Sequence, residues 1–296
     1  MTPSESESAV VARLRTAGCV FAEDEARLLI AAADGPAELA AMVDRRAAGL
    51  PLEHVLGWAE FCGLRVIVGP GVFVPRRRSE FLVAQAVAGL TVANRPPRAS
   101  AWERSRARER ASAQKQAGAG AVPVPVVLDL CCGCGAVGLA VATALARAEL
   151  HSAELYAADL DPGATAYARR NLAAIGGHVY EGDLYEPLPA GLRGRVDVLV
   201  VNAPYVPTSE IGLMPAEARL HEPLVALDGG PDGVGIHRRV AAQAPAWLAA
   251  GGRLLIETSD RQAALTSAAM AAAGLTTSIV TNDILDATVV IGRRPA

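Results

Sequence analysis

Pro125-Val126-Val127-Leu128-Asp129-Leu130-Cys131-Cys132-Gly133-Cys134-Gly135-Ala136-Val137-Gly138 is the stretch from which the rest of the chain can be ordered. Pro125–Leu130 is a short apolar run, the pattern of a strand buried on both faces, and Ala136–Ala148 reads as a helix. The glycines between them let the backbone turn sharply and come close to a ligand at the helix N-terminus. The same alternation then repeats downstream. Glu154–Ala158 reads as a strand, and Asp161-Pro162 caps a helix that ends at Gly176-Gly177. His178–Glu181 and Val196–Val201 read as strands, and Gly235–Ala249 as a helix stopped by Gly251-Gly252. Arg253–Glu257 is a strand, Arg261–Ala273 a helix, and Thr277–Val280 and Ala287–Ile291 are two late strands. Repeated strand–helix units predict an α/β fold with a parallel, doubly wound sheet covered on both faces.

Upstream the pattern differs. Thr2, Pro3 and Glu5 have the form of an N-cap, a first-turn proline and a capping-box glutamate, and Val10, Val11 and Leu14 follow at helical spacing until Gly18. Further helices are expected around Glu23–Ala33 and Ala37–Ala48, stopped by Gly35 and Gly49. Thr2–Leu56 holds nine acids against five arginines, a poor composition for a nucleic-acid arm. Leu64, Val66 and Val68 alternate with other residues, Gly69-Pro70-Gly71 turns the chain, and Val72-Phe73-Val74 follows, which predicts a β-hairpin over Phe61–Val74. Ser79–Leu90 returns to helix. Residues 92–123, with seven basic and two acidic residues, read as a basic, low-complexity insertion. The expected divisions are therefore 1–57, helical; 58–91, hairpin and connecting helix; 92–123, insertion; and 124–296, the α/β domain.

Composition sets outer limits. The 296 residues carry 28 Lys+Arg and 31 Asp+Glu, a net charge of −3, which argues against a polybasic nucleic-acid binder. With 51% hydrophobic residues the chain can bury a sizeable core, but at 4% aromatics it must fill that core mostly with Ala, Val and Leu. No stretch has the length of a membrane span, and the polar, acidic start lacks the basic region of a secretory signal. The five cysteines are odd in number, and three crowd into residues 131–134, so they form no disulfide framework; a reducing cytoplasm is the expected setting. The crowded thiols have no separated Cys/His pair to complete a zinc site, and no metal is expected.

Four positions carry candidate chemistry. Gly133, Gly135 and Gly138 satisfy G-x-G-x-x-G, a pattern that leaves open a dinucleotide, S-adenosylmethionine or neither. Asp129 ends the strand before that loop and can face an ammonium group. Asp159 ends the next strand, where a carboxylate accepts ribose hydroxyls in either cofactor. Asp183 follows the third strand, where an acid can accept from an adenine amino group. After the fourth strand stands Asn202-Ala203-Pro204-Tyr205. The chemistry of a planar nitrogen explains these residue types. Its lone pair is delocalised, so it is a poor nucleophile unless its two hydrogens are held by acceptors such as Asn202 Oδ1 and the residue 203 carbonyl. Tyr205 can pack on the flat group that carries the nitrogen.

With those residues in view, the sequence resembles the HemK/PrmC-type protein-(glutamine-N5) methyltransferases over roughly residues 10–90 and 124–292. Pro51-Leu52-Glu53-His54-Val55-Leu56-Gly57 and Glu60-Phe61-Cys62-Gly63-Leu64 resemble the family's inter-domain segment. Gly71-Val72-Phe73-Val74-Pro75-Arg76 with Ser79-Glu80 resembles the segment that follows. Glu222-Pro223, Ala226-Leu227-Asp228-Gly229-Gly230 and Asp232-Gly233 resemble its post-motif loop. The resemblance implies a seven-stranded, Rossmann-like class I methyltransferase sheet behind a small N-terminal helical substrate-recognition domain, with S-adenosyl-L-methionine as cofactor. Asp129, Cys131, Gly133 and Gly135 would hold the methionine part, Asp159 the ribose, and Asp183 would lie near the adenine, with Asn202 bordering the cofactor. Asn202, Ala203, Pro204 and Tyr205 would bind the substrate, with Asn202 and Tyr205 catalytic. The implied substrate is the glutamine of the Gly-Gly-Gln motif in class-1 peptide chain release factors. Membrane contact is not implied, and nucleic-acid contact only through 92–123.

Three features depart from the family pattern. Ala203 stands where the family has a first proline, and Cys131, Cys132 and Cys134 stand where it usually has Gly, Thr and Ser. The third is the insertion. A divergent paralogue is the reading these departures support, and the same nitrogen-holding motif would serve adenine N6 in a nucleic acid or a small-molecule amine. Arg76, Arg77 and Arg78 are read either as bordering the site or as a solvated basic run, and His221 as loop structure.

Overall fold

A computed structural model of the chain describes residues 3–90, 124–148 and 153–296. The expected Thr2 cap and the 92–123 insertion lie outside the described residues.

Helices α1 (Pro3–Thr16), α2 (Ala22–Ala32), α3 (Pro36–Ala47) and the short α4 (Leu52–Leu56) gather around their own core of Leu14, Leu29, Met42, Val43 and Val55. Pro36 at the start of α3 has no N–H to lose, and Gly35 before it takes φ +110°, a turn into the helix that a side chain would strain. Arg46 of α3 is buried against Glu25 of α2, Nε to Oε2 at 2.6 Å, and its Nη1 also reaches Glu217 at 3.3 Å. One side chain thus joins the helical bundle to the segment after the fourth strand of the main sheet.

The hairpin lies earlier than the alternation predicts. Strands β1 (Trp58–Phe61) and β2 (Leu64–Ile67) pair antiparallel, with Phe61 opposite Leu64. Cys62 and Gly63 both take positive φ, 51° and 68°, the two-residue turn whose twist suits a hairpin. Val72–Val74 forms no strand. Its polar groups go elsewhere: Val72 O meets His54 Nε2 at 2.9 Å, and Val74 N donates to Glu222 Oε1 at 3.2 Å. Apolar alternation shows which residues turn inward, but it does not reveal which acceptor takes the backbone N–H.

After α5 (Glu80–Leu90) the main sheet is built from β3 (Val126–Leu130), β4 (Glu154–Asp159), β5 (His178–Glu181), β6 (Val196–Val201), β7 (Leu248–Thr258), β8 (Thr276–Asn282) and β9 (Ala287–Arg293). The order across its seven strands is β5-β4-β3-β6-β7-β9-β8. The first five run parallel, while β9 pairs antiparallel with both β7 and β8. The sheet is therefore mixed, with its last two strands joined as a hairpin inserted beside β7. The order reverses between β3 and β6, which opens a crevice at the carboxyl ends of the strands.

Helices α6 (Ala136–Arg147), α7 (Pro162–Leu172), α8 (Ala216–His221), α9 (Gly235–Trp247) and α10 (Asp260–Ala272) complete the described fold. One face of the sheet packs on α5, α6 and the hairpin through Phe61, Val66, Leu82, Val141 and Leu155; the other packs on α9 and α10 through Val240, Trp247, Leu254 and Met270. Each such fully buried large side chain contributes on the order of 2 kcal/mol. Asn171 of α7 fastens the hairpin: its amide takes Ile67 N at 2.8 Å and gives to Ile67 O at 2.9 Å and Cys134 O at 2.8 Å.

Gly251-Gly252 does not stop α9, which ends at Trp247. The pair lies inside β7, where the register against β6 shifts between Val196 and Val198. A Cβ on Gly252 would sit 2.7 Å from Val196 O, so the glycine serves a close crossing of two strands.

Candidate active site

A single cavity at the carboxyl ends of β3, β4 and β6 is lined by Asp129, Cys131, Gly133, Asp159, Asp183, Asn202, Ala203, Pro204 and Tyr205. These are nine of the ten candidate positions; Gly135 does not border it. Gly135 takes φ +79° at the N-terminus of α6, and a Cβ there would press on Ala168 and Leu172 at 3.3 Å. Its place is the helix–helix contact behind the loop.

The loop itself is fixed by the two strand-end acids. Asp129, 1% exposed, accepts Gly138 N at 2.8 Å through Oδ2. Burial pushes its carboxyl up to about 7, against the lowering by Gly138 N–H and with a smaller push from the Asp159 charge. Asp159 accepts Gly133 N at 2.8 Å with Oδ2 and Asp161 N at 2.9 Å with Oδ1. Burial raises it too, and these backbone donors oppose the rise. A buried acid, Asp129, and a half-buried one, Asp159, at one end of the crevice suit a ligand that brings positive charge and hydroxyl groups. Between them Cys131 takes φ 56°, the left-handed region in which a glycine is at ease. The thiols of Cys131, Cys132 and Cys134 are held neutral by burial, Cys134 up to about 12.

Asp183 borders the cavity paired with Arg239 of α9, Oδ2 to Nη2 at 2.6 Å. Arg239 was not legible as a site residue, because it lies on a helix far away in sequence and its neighbours spell an ordinary amphipathic turn.

Asn202 follows the last residue of β6. Its Nδ2 donates to Ser79 Oγ at 3.1 Å, which leaves Oδ1 as the amide's free acceptor. Tyr205 stands beside Arg78, whose guanidinium lies 5.8 Å from the ring centre, and burial pushes the Tyr205 hydroxyl up to about 12, with the negative charge of Glu257 adding to the rise. Gln262 Nε2 donates to Tyr205 O at 2.7 Å and to Asp232 O at 3.0 Å. Arg76 and Arg78 both line the cavity, Arg76 tied to the buried Glu222 at 2.5 Å and Arg78 Nε to Glu257 at 3.5 Å.

Beside Arg239, sequence reasoning also missed Glu257 and Gln262. For Glu257 a signal existed. It follows Leu254-Leu255-Ile256 at the carboxyl end of a central strand, the same placement that singled out Asp129, Asp159 and Asn202. Burial raises its carboxyl above the usual range, opposed by Ser79, Arg78 and Tyr205.

Comparison with known proteins gives consistent matches. Residues 123–230 match the family model "Methyltransferase small domain". The release factor glutamine methyltransferase of Geobacter sulfurreducens is 34% identical over 233 residues, covering 77% of this chain and 68% of that protein. That of Mycolicibacterium smegmatis is 34% identical over 248 residues, covering 82% and 75%. Among solved structures, a methyltransferase from Pyrococcus furiosus is similar at a TM-score of 0.43 and 15% identity, over 74% of this chain and 98% of that one. No helix among the described residues is long and apolar enough to cross a membrane.

Proposed function

Because the chain belongs to the release factor glutamine methyltransferase family, we propose that it methylates N5 of the glutamine in the Gly-Gly-Gln motif of class-1 peptide chain release factors, with S-adenosyl-L-methionine as donor. The cytoplasm, where release factors act, is then its place of work, and direct nucleic-acid contact is no part of the reaction. The helical segment 1–57 would recognise the protein substrate.

The cavity fits such a donor. Asp129 has Oδ1 left for an ammonium group, Asp159 keeps spare lone pairs for ribose hydroxyls, and Asp183, which lines the same cavity, has Oδ1 left to accept from an adenine amino group. A Cβ at Gly133 would meet nothing within 4 Å, so the loop leaves open space on that side. When bound, S-adenosyl-L-methionine supplies a methyl group on a sulfonium sulfur, a strong electrophile that needs no metal.

The protein's task is to make an amide nitrogen nucleophilic. The observation that carries the proposal is the orientation of Asn202. With Nδ2 given to Ser79, Oδ1 is free to accept one hydrogen of the substrate amide, and the Ala203 carbonyl is available for the other. Two acceptors hold the nitrogen in place and favour its pyramidal form. Tyr205, with its hydroxyl kept neutral, packs against the flat amide. The second hydrogen leaves to water once the new bond has formed, so no buried base is required.

The test is transfer of labelled methyl from S-adenosyl-L-methionine to a purified class-1 release factor, with DNA, RNA and metabolite extract as competing acceptors. Transfer to the release factor that is lost in Asn202→Ala, with donor affinity within a few fold, supports the proposal. Transfer only to nucleic acid or to a small molecule overturns it.

A further inference from the structure

Asp183 and Arg239 line the cavity together, with Asp183 Oδ2 accepting from Arg239 Nη2 at 2.6 Å. Their side chains are 34% and 48% exposed, so the pair adds little to the stability of the fold. It is nonetheless part of a fixed arrangement. The next residue of α9, Val240, accepts the hydroxyl of the buried Tyr185 at 3.0 Å through its backbone oxygen. Glu186 N donates to Asp183 O at 3.0 Å and closes a tight turn. The loop after β5 is therefore fastened to α9 at two consecutive positions, and the first of them faces the cavity. Arg238, by contrast, pairs with Asp232 and does not border the cavity.

Leu160, Leu184 and Ile236 line the same cavity. Such apolar side chains suit the faces of any flat ring, so the choice of base falls to groups that meet its edge. The edge of adenine offers an amino group at C6 and a bare nitrogen at N1. Hypoxanthine, its deaminated counterpart, offers an oxygen at C6 and an N–H at N1. A carboxylate only accepts, and one that turns freely accepts from either edge. A carboxylate whose Oδ2 is held by Arg239 has Oδ1 to offer, in one direction.

We propose that Arg239 is a positioning residue for the donor's base: it aims Asp183 Oδ1 at the amino group and so makes the site select adenine over an oxo purine. The inference deepens the proposed reaction by assigning how the donor is chosen, and it rests on S-adenosyl-L-methionine as that donor. Without Arg239 the carboxylate turns to follow the N1–H of hypoxanthine, and the preference shrinks. Without Asp183 a guanidinium, which only donates, remains where an acceptor stood, and it favours the oxygen at C6.

The test is calorimetric binding of S-adenosylhomocysteine against S-inosylhomocysteine, which differs only in carrying hypoxanthine. Wild-type protein should prefer the adenine ligand by about thirtyfold. Arg239→Ala should cut that preference to about threefold, with the unfolding temperature within about 2 °C of wild type. Arg239→Lys keeps a cation for a pair made through one nitrogen, and should restore most of the preference. Asp183→Ala should erase or reverse it. A preference unchanged in Arg239→Ala, whether affinity stays or falls equally for both ligands, is what a merely structural role gives and overturns the proposal. Wild-type protein that binds both ligands equally overturns it as well. If wild-type protein binds S-adenosylhomocysteine but methylates no release factor, the proposed function fails, and the ratio of affinities still decides the role of Arg239.

Discussion

Gln262 donates to the backbone oxygen of Tyr205 at 2.7 Å and fills the space that a side chain on Gly233 would need. A Cβ on Gly233 would lie 2.3 Å from Tyr205 O, and one on Gly229 2.7 Å from Tyr205 Cα. The post-motif loop is thus pressed onto the Asn202–Tyr205 turn from behind. That support bears on Ala203, where the turn has one proline ring fewer than the family pattern. Gly233→Ala, strained further by its φ of +74°, should cost about 3 kcal/mol of stability and lower transfer more than tenfold. Gln262→Ala should spare stability more than transfer. Thermal unfolding with parallel rate measurements checks both.

Asp129 gives a pH dependence with a defined sign. Its carboxyl stands at about 7 in the folded protein, above its usual 3.8. The folded state therefore holds a proton that the unfolded state gives up, so this contribution to stability is present at low pH and lost as pH rises from about 4 through 7. Asp129→Asn should flatten that slope. A cationic ammonium favours the ionised carboxylate, so donor affinity should strengthen from about pH 6 to 8 in wild type and not in Asp129→Asn. Calorimetric titration in two buffers reads the proton released.

Cys131 sits in left-handed backbone at φ 56°. Cys131→Gly should leave donor binding intact and stability equal or higher, by up to about 1 kcal/mol. Cys131→Val, with a β-branched side chain in the same conformation, should lose stability by more than about 1 kcal/mol. Denaturant midpoints separate the two.

Arg46 and Glu25 are each only 10% exposed at the side chain, so removing one leaves the other charge without its partner. Arg46→Ala should destabilise by about 3 kcal/mol, whereas Glu217→Ala, at 43% exposure, should cost under about 1. Urea unfolding measures the difference.

The order of strands and helices was legible because β3, β4, β6 and β7 each carry a short apolar run that ends at a polar residue, with helical periodicity between them. The candidate site was legible for the same reason: Asp129, Asp159 and Asn202 are polar residues that end apolar runs. What stayed hidden depends on contacts between distant segments. Val74 spends its N–H on Glu222, Gly252 makes room for Val196, and Ser79 meets Asn202 across 123 positions of sequence. Glu257 was overlooked although it obeys the strand-end rule, because no motif surrounds it.

Tandem mass spectrometry of a class-1 release factor after incubation with S-adenosyl-L-methionine and either wild-type protein or Asn202→Ala tests the central claim most directly. One added methyl is expected on the glutamine of the Gly-Gly-Gln motif with wild type and none with the variant. An unmodified glutamine after incubation with wild-type protein that binds the donor, or equal modification by Asn202→Ala, would contradict it.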